Sequence, residues 1–446
     1  MKDFLQKIVS STDKTTIIGI TLLPEPSLKH HERHDNSTIN IAVSSMRGRR
    51  DTQEDAHAID TQLRPRSSSP QNDDLDSTAS LPNHALLAVF DGHGTSLASN
   101  FAAEHFIPIF CAQTSFLEYC RETNAGSQIN DQKKGKVSKK KTRKNASSPP
   151  NPAFGRSMTK DPDGSFKLLL ENAMKSAMIQ LDAQILLEIQ SRQNEQPCLN
   201  ENDSMFDIFD SGTTAIIVLL TPQYIICANV GDSRAILQRG PYAAAAAADG
   251  CKSNNTICCL STDHKPNNDS EKIRIENAGG VVLGGKIEGR LAVSRALGDF
   301  SFKHLNSVLS AAGCHDNNMH VTDSININDV DDNVNVNAMM VQPEDQMVTC
   351  IPEITTINRN DPQDKFLVIA CDGIWDVLSN EQCAQLISCS FEEGEANIGL
   401  VCEELLDQCY AKGSLDNMTV IVVKFPLQDI GVGGGVMRRR KQRMAK

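Results

Sequence analysis

Acidic residues stand beside the ends of the short apolar segments of this chain, often next to a glycine. The acids in such positions are Glu54, Asp55, Asp91, Asp232, Asp372 and Asp416. One aspartate beside a glycine is ordinary turn chemistry. If the apolar segments are strands whose ends converge, however, these carboxylates meet and repel one another at short range. The pattern therefore predicts a cation site with oxygen ligands, which suits Mg²⁺ or Mn²⁺ better than Zn²⁺.

The segments that must position these acids have the composition of strands and helices. The runs rich in β-branched residues, which predict strands, are Ala85–Phe90, Thr213–Leu220, Tyr224–Val230, Phe366–Ala370 and Thr419–Phe425. Thr221 and Pro222 predict a hairpin between the second and third runs. The segments predicted to be helical are Phe166–Gln190, Ser270–Ala278 with Ser270 as its N-cap, Ser379–Leu386 and Asn397–Cys409. Because strands and helices do not alternate regularly, the sequence predicts an α+β fold.

Length, charge and cysteine usage limit the classes of function. The chain has 446 residues and a net charge of −12, so we expect no binding to nucleic acid or to an anionic membrane. No segment approaches the roughly 20 apolar residues of a membrane span. Ile17–Leu23 follows acidic residues and makes a poor signal peptide. None of the 14 cysteines forms a C-x-x-C pair. These features predict a cytoplasmic or nuclear protein.

A series of motifs resembles those of type 2C protein phosphatases, the metal-dependent protein phosphatase family. The matching segments are Ser44–Arg50, Glu54–His57, Val89–Gly94, Ser211–Ala215, Asn229–Arg234, Asp263–Pro266, Leu291–Asp299, Ala370–Asp376 and Asp416–Val420. They occur in the family's order, from about Ile39 to Pro426. The resemblance implies a four-layer sandwich, in which two stacked and mainly antiparallel β-sheets are flanked by α-helices. It also implies a metal site at one edge of the sandwich.

The resemblance assigns metal ligands to this chain. Asp91 would bridge two metal ions, Mg²⁺ or Mn²⁺, two per subunit. Glu54 and the carbonyl of Gly92 would complete one ion's ligands. Asp372 and Asp416 would complete the other's.

The resemblance assigns catalytic roles as well. Asp55 would orient a metal-bound water, Arg50 would bind the phosphate, and His93 would protonate the leaving group. Asp232 and Asp376 match positions that hold a weaker third metal in relatives. The implied activity is hydrolysis of phosphoserine and phosphothreonine in proteins by a water that bridges two divalent cations, and we expect a monomer.

The domain organisation follows from the same comparison of motifs. An N-terminal extension over residues 1–38 precedes a catalytic domain over 39–428, and a basic tail occupies 429–446. Insertions interrupt the domain near 61–82, 121–160, 240–256 and 304–349. Their polar or biased compositions, and that of the tail, bury too little to offset chain entropy, so we expect mobile loops. The last insertion enlarges the family's flap region, Ser301–Cys350.

Three alternative functions remain to be weighed. A pseudophosphatase would bind phosphoproteins without turnover. Such proteins usually lack one of the metal-ligand acids, whereas Glu54, Asp91, Asp372 and Asp416 are all present here. A cysteine-dependent phosphatase needs an arginine six positions after its cysteine, and a calcineurin-type enzyme needs Gly-Asn-His-Glu; the sequence has neither. The basic clusters Lys133–Lys144 and Arg438–Arg443 are either import signals or acidic-partner patches, or simply solvated segments.

Overall fold

The protein consists of two stacked β-sheets with helices on both outer faces. A computed structural model describes residues 29–35, 39–66, 80–123, 161, 163–195, 209–240, 256–313, 341–359 and 363–444. The strands of the two large sheets are β1 (His30–Asp35), β2 (Asn40–Met46), β3 (Ala56–Asp60), β4 (Ala85–Phe90), β7 (Ala215–Leu220), β8 (Tyr224–Val230), β9 (Arg234–Arg239), β10 (Thr256–Cys259), β14 (Glu353–Asn358), β15 (Asp364–Ala370) and β16 (Met418–Lys424). The two-residue strands are β5 (Gly92–His93), β6 (Gly212–Thr213), β11 (Val282–Leu283), β12 (Lys286–Ile287) and β13 (Leu297–Gly298).

Both large sheets are antiparallel throughout. The six-stranded sheet has the order β1-β2-β16-β15-β9-β10, and the five-stranded sheet has the order β14-β8-β7-β4-β3. Every residue of β4 and of β7 is buried, which explains their continuous apolar sequences. A strand covered on both faces has no solvent side on which polar residues would alternate.

Helices cover the outer face of each sheet. Their bounds are α1 (Leu97–Cys111), α2 (Ser165–Glu195), α3 (Asp269–Asn277), α4 (Leu305–Ala311), α5 (Asp372–Trp375), α6 (Asn380–Glu392), α7 (Ile398–Ala411) and α8 (Gly435–Met444). A further helical segment covers residues 114–123. In addition, 3₁₀ turns occupy Phe300–Phe302 and Pro343–Asp345.

Three apolar clusters join the four layers. Between the sheets, Val43 and Leu367 of the six-stranded sheet pack in one cluster with Leu87 of the five-stranded sheet. α1 and α2 cover the five-stranded sheet, and α6 and α7 cover the six-stranded sheet. The predicted four-layer α+β sandwich is therefore confirmed. Within the described ranges, no helix combines the length and the apolar character needed to cross a lipid bilayer.

The predicted elements are confirmed with small shifts of their ends. β7 and β8 form the predicted hairpin, in which the Thr221 side chain accepts hydrogen bonds from the backbone N–H groups of Gln223 and Tyr224. Ser379 caps α6 in a capping box. The prediction that Ser270 caps a helix is wrong, because α3 begins one residue earlier and Asn268 occupies the N-cap position.

The segments on either side of the predicted catalytic domain take part in the fold. β1, within the predicted N-terminal extension, pairs with β2 along its whole length. The prediction of a mobile tail is wrong for residues 435–444, which form α8. Arg440 and Arg443 of α8 bind Glu404 of α7, and Arg440 also binds Glu403. The tail is thus ordered by ion pairs with an acidic helix face, a long-range contact that local composition does not reveal.

Most of the predicted insertions lie outside the described residues. These include the basic cluster Lys133–Lys144 and most of the insertions near 240–256 and 304–349. The flap insertion is described at its two ends only. There the prediction of a loop is wrong for Leu305–Ala311, because this segment forms α4 and buries Val308 and Leu309 against the core.

Candidate metal centre

The acids singled out in the sequence lie at one edge of the sandwich. Antiparallel pairing places the end of one strand beside the start of its neighbour. Thus Phe90, which ends β4, is opposite Ala56, which begins β3. In the other sheet, Ala370 at the end of β15 is opposite Val420 near the start of β16. Since both sheets end here, the acids that flank these strands converge.

Two clusters of ligand atoms result, and Asp91 belongs to both. Carboxylate oxygens of Asp91, Asp232 and Asp372 lie within 4.8 Å of one another. One oxygen each of Asp55 and Asp91 and the sulfur of Cys371 also lie within 4.8 Å of one another. Asp91 therefore occupies the central position between the two sheets.

The carboxylates of these clusters resist ionisation. Burial, together with the neighbouring charges of Asp55 and Asp372, raises the pKa of Asp91 well above its usual value. Burial and the Asp232 charge raise the pKa of Asp372 to about 8. Burial also raises the pKa of Asp55 to about 6. Such a group of acids is destabilised when ionised and is relieved by bound cations.

Asn417 holds together the loops that carry Glu54, Arg50 and Asp416. Its side-chain oxygen accepts from the N–H of Glu54 at 2.8 Å, and its side-chain nitrogen donates to the carbonyls of Arg47 and Thr52 at 2.8 and 2.9 Å. Gly373 approaches the same loop so closely that a Cβ there would lie 2.0 Å from the Asn417 carbonyl oxygen. This close contact brings Asp372 next to the Asp416 loop.

Glu54 and Gly92 meet through their backbones. A Cβ on Gly92 would lie 2.4 Å from the carbonyl oxygen of Glu54, so only glycine fits at this position. The Glu54 carboxylate accepts from the Thr52 hydroxyl at 2.8 Å and lies outside the two clusters. The structure thus places Glu54 beside the other acids through its backbone, with its carboxylate turned to Thr52.

Arg50 and Asp416 form an ion pair at the rim of the centre. The guanidinium of Arg50 donates to Asp416 at 2.5 Å, and 56% of the Arg50 side chain is exposed. Asp416 still acts electrostatically on Asp91 and Asp372, and its charge contributes to the raised pKa of each. An exposed, long side chain of this kind is free to exchange one anionic partner for another.

His93 is held by a buried carboxylate from a distant part of the chain. Its Nε2 lies 2.8 Å from both oxygens of Asp299, whose side chain is 1% exposed. Although burial disfavours the imidazolium, the Asp299 charge and hydrogen bond raise the pKa of His93. The pair keeps the ring oriented and favours its protonated form. From the sequence, Asp299 is interpreted as a hydrogen-bond acceptor that supports the fold, and the structure shows that the group it holds is His93.

The two acids predicted for a third metal lie beside a lysine. The ammonium group of Lys265 is ion-paired with Asp232. Burial raises the pKa of Asp376, and the Lys265 charge opposes that rise. A third cation bound to Asp232 would therefore have to compete with Lys265 for this carboxylate.

The donor set in the centre fits a hard divalent cation. Its central ligand atoms are carboxylate oxygens, which Mg²⁺ and Mn²⁺ prefer. Cys371 is the exception, but burial raises the pKa of its thiol well above its usual value. Its sulfur accepts a hydrogen bond from the N–H of Thr419. Through this hydrogen bond Cys371 supports the strand that follows Asp416.

Sequence reasoning missed the residues that orient the acids. These are Asn417, Thr419, whose hydroxyl donates to Asp55 at 2.6 Å, and Lys265. All three lie inside the motifs that carry the family resemblance, but residue type alone assigned them no chemistry. From the sequence, we interpret His264 as structural. Its ring accepts a hydrogen bond from the N–H of Gly231, the residue before Asp232.

Comparison with known proteins adds an independent line of evidence. The family model "Protein phosphatase 2C" matches residues 156–418, which is more than half of the chain and includes Asp232, Asp372 and Asp416. Protein phosphatase 2C homolog 2 of Schizosaccharomyces pombe is 28% identical over 90% of this chain and 78% of its own length. Human protein phosphatase 1A is 27% identical over 91% of this chain and 75% of its own length.

Solved structures share the fold. A serine-threonine phosphatase 2C from Toxoplasma gondii has a TM-score of 0.55 at 19% identity, covering 90% of this chain and 99% of that chain. A second phosphatase from the same organism has a TM-score of 0.52 at 20% identity, covering 90% of this chain and 97% of that chain. Because the family model matches more than half of the chain, and relatives are similar over about 90% of it, the chain belongs to the protein phosphatase 2C family.

Proposed function

We propose that this chain hydrolyses phosphoserine and phosphothreonine side chains of proteins in a metal-dependent reaction. The observation that carries the proposal is the convergence of Asp91, Asp232 and Asp372 at the edge where both sheets end. The family relationship supports the same activity. Glu54, Asp91, Asp372 and Asp416 are all present, which argues against a pseudophosphatase.

The carboxylates are suited to hold two divalent cations, which we infer to be Mg²⁺ or Mn²⁺. Asp91 is the central ligand, with Asp372 and Asp416 on one side and Glu54 with the Gly92 carbonyl on the other. Divalent cations held by these residues would supply the positive charge that a phosphate dianion requires and would lower the pKa of the attacking water. Asp55, held by Thr419, is placed to orient that water.

Arg50 and His93 act on the substrate. The guanidinium of Arg50 offers a planar pair of donors that matches two phosphate oxygens, and its exposed position allows it to leave Asp416 for them. His93, whose protonated form Asp299 favours through Nε2, would donate a proton from Nδ1 to the departing seryl or threonyl oxygen. Without that proton the leaving group would be a strongly basic alkoxide.

The experiment that tests this function is a phosphothreonine-peptide assay with and without Mn²⁺. Wild type should turn over only with metal, and Asp91→Asn should lose activity by at least about a thousandfold. Asp269→Asn, which alters an exposed acid at the start of α3 outside the carboxylate clusters, is the matched control and should behave as wild type. Peptide binding without turnover in the metal-loaded wild type would favour the pseudophosphatase.

A further inference from the structure

Three histidines surround one glutamate where the edge strands of the two sheets meet. β1 is an edge strand of the six-stranded sheet, and β3 is an edge strand of the five-stranded sheet. Alternate residues of a strand share a face, so His30, Glu32 and His34 lie on one face of β1. His57 of β3 reaches the same carboxylate from the other sheet. None of these four residues belongs to the carboxylate clusters described above.

The distances around Glu32 resemble those between ligands of one metal ion. Nε2 of His34 lies 3.2 Å and Nε2 of His57 lies 3.8 Å from Oε2 of Glu32. Nε2 of His30 lies 3.1 Å from Oε1. Ligand atoms of a tetrahedral Zn²⁺, with bonds of about 2.0–2.1 Å, are about 3.3 Å apart. Each nitrogen thus lies at about this distance from the carboxylate, but no three of these ligand atoms lie within 4.8 Å of one another. An ion would therefore have to draw the side chains together.

The side chains have the mobility and the protonation states that a metal site needs. The side chain of His34 is 32% exposed and that of Glu32 is 43% exposed, so small rotations can close them around an ion. Burial lowers the pKa of His57, which favours the neutral imidazole that binds metals. Although burial opposes it, hydrogen bonds from His30 and His34 lower the pKa of Glu32 and favour its carboxylate.

We propose that Glu32, His34 and His57 form a binding site for a divalent transition-metal ion of the Zn²⁺ class. Imidazole nitrogens favour Zn²⁺, Cu²⁺ or Ni²⁺, whereas the carboxylates of the catalytic centre favour Mg²⁺ or Mn²⁺. The two sites therefore select different metals. An ion bound here joins β1 to β3 and so ties together the edges of the two sheets.

The test compares Zn²⁺ binding by the full chain and by variants that share an unaltered catalytic centre. Equilibrium dialysis against micromolar zinc sulfate, followed by metal analysis, gives the number of ions per chain. Wild type should bind one Zn²⁺ more than the double variant His34→Ala, His57→Ala. Zn²⁺ should also raise the unfolding temperature of wild type above that of the double variant.

His31→Ala provides the matched control. His31 lies on the opposite face of β1, where its Nδ1 is 2.9 Å from Glu403, so this variant should bind as much Zn²⁺ as wild type. Equal numbers of Zn²⁺ in wild type and the double variant would overturn the proposal. Mn²⁺-dependent hydrolysis of an aryl phosphate checks that the variants fold. If the double variant does not fold, His34→Gln alone decides: it should lose the same ion, and unchanged binding refutes the site.

Discussion

At the scale of single residues, the acids of the metal centre are buried although burial disfavours their charged form. When ionised, the carboxylates of Asp91, Asp232 and Asp372 are close enough to repel one another. The raised pKa values of Asp91 and Asp372 mean that ionisation of these carboxyl groups destabilises the folded chain at neutral pH. These acids therefore do not stabilise the metal-free fold at neutral pH, which is consistent with a role in binding cations.

Asp372→Asn should stabilise the metal-free protein while removing activity. The pKa of Asp372 is about 8 in the folded state, above its usual value, so its contribution to stability is full at low pH and is lost as pH rises from about 4 to about 8. Asparagine does not ionise. The stability difference between the variant and wild type should therefore grow over this interval, as measured by thermal unfolding in EDTA. A difference that is constant with pH would contradict the assignment.

His93→Ala should affect substrates according to their leaving groups. Hydrolysis of a phosphothreonine peptide should slow by roughly two to four powers of ten, because the threonyl oxygen needs a proton. An aryl phosphate, whose leaving group is far less basic, should lose much less. Steady-state kinetics with both substrates provides the measurement. Equal losses would remove His93 from the role of acid.

At the scale of elements, α7 presents acids that hold two separate segments of the chain. Glu403 accepts from Arg440 of α8 on one side and from His31 of β1 on the other. Asp407 likewise pairs with Arg440 and with Lys29. One acidic helix face thus orders both the tail and the first strand. For the cluster Arg438–Arg443, the acidic partner considered in the sequence analysis is found within the chain itself.

Glu404→Gln should destabilise the protein through α8. The Glu404 side chain is 2% exposed and lies within 4 Å of the guanidinium groups of Arg439, Arg440 and Arg443. Removing its charge leaves these arginines poorly compensated, which costs about 1–3 kcal/mol of the free energy of unfolding. Denaturant unfolding is the measurement. Arg438→Ala, which alters an exposed residue of the same helix, is the control. Equal effects of both changes would argue against a stabilising role of the Glu404 ion pairs.

The contact between β4 and the helical segment 114–123 should weaken in acid. His84 Nδ1 donates to the Pro82 carbonyl at 2.9 Å, so Nε2 accepts from the Tyr119 hydroxyl at 2.7 Å. Burial lowers the pKa of His84 to about 4, below its usual value of 6.5. Its contribution to stability is present above pH 6.5 and is lost as pH falls towards 4.

The comparison of wild type with His84→Asn measures this effect. Between pH 7 and pH 4, wild type should lose up to roughly 3 kcal/mol more of its free energy of unfolding than the variant does. Denaturant titrations at several pH values provide the measurement. Parallel pH profiles for the two proteins would show that His84 does not titrate on unfolding.

At the scale of the whole molecule, the metal centre lies between the two sheets. Asp91 and Asp232 follow strands of the five-stranded sheet, whereas Asp372 and Asp416 flank strands of the six-stranded sheet. Cations held by acids from both sheets would join the two halves of the sandwich. Metal binding should therefore stabilise the whole fold, because the ligands are together only in the folded state.

Mn²⁺ should raise the unfolding temperature of wild type, and EDTA should reverse the effect. At a free concentration 100 times the dissociation constant, the expected gain is about 2.7 kcal/mol. Asp91→Asn lacks the central ligand and should show little of this gain. Thermal scans with and without Mn²⁺ test the expectation, and equal shifts in both proteins would mean that the metal binds elsewhere.

The sequence by itself determined the fold class and the acids of the centre. Strand runs such as Ala85–Phe90 and Tyr224–Val230 are recognisable because two-sided burial demands continuous apolar residues. The acids beside them, with their glycines, are local features. The order of the motifs was sufficient to identify the family. The structure brings these residues together, but the catalytic and metal-binding roles assigned to them all remain predictions: Arg50, Glu54, Asp55, Asp91, Gly92, His93, Asp232, Asp372, Asp376 and Asp416.

Only the tertiary structure decided which distant residues meet. Asp299 and His93 are 206 positions apart, and their contact depends on how β5, β6 and β13 pair. The docking of α8 on α7, the Lys265 ammonium on Asp232 and the histidines around Glu32 have the same origin. Periodicity and composition report the environment of each segment. Contacts between segments depend instead on strand order and layer packing, which no local pattern encodes.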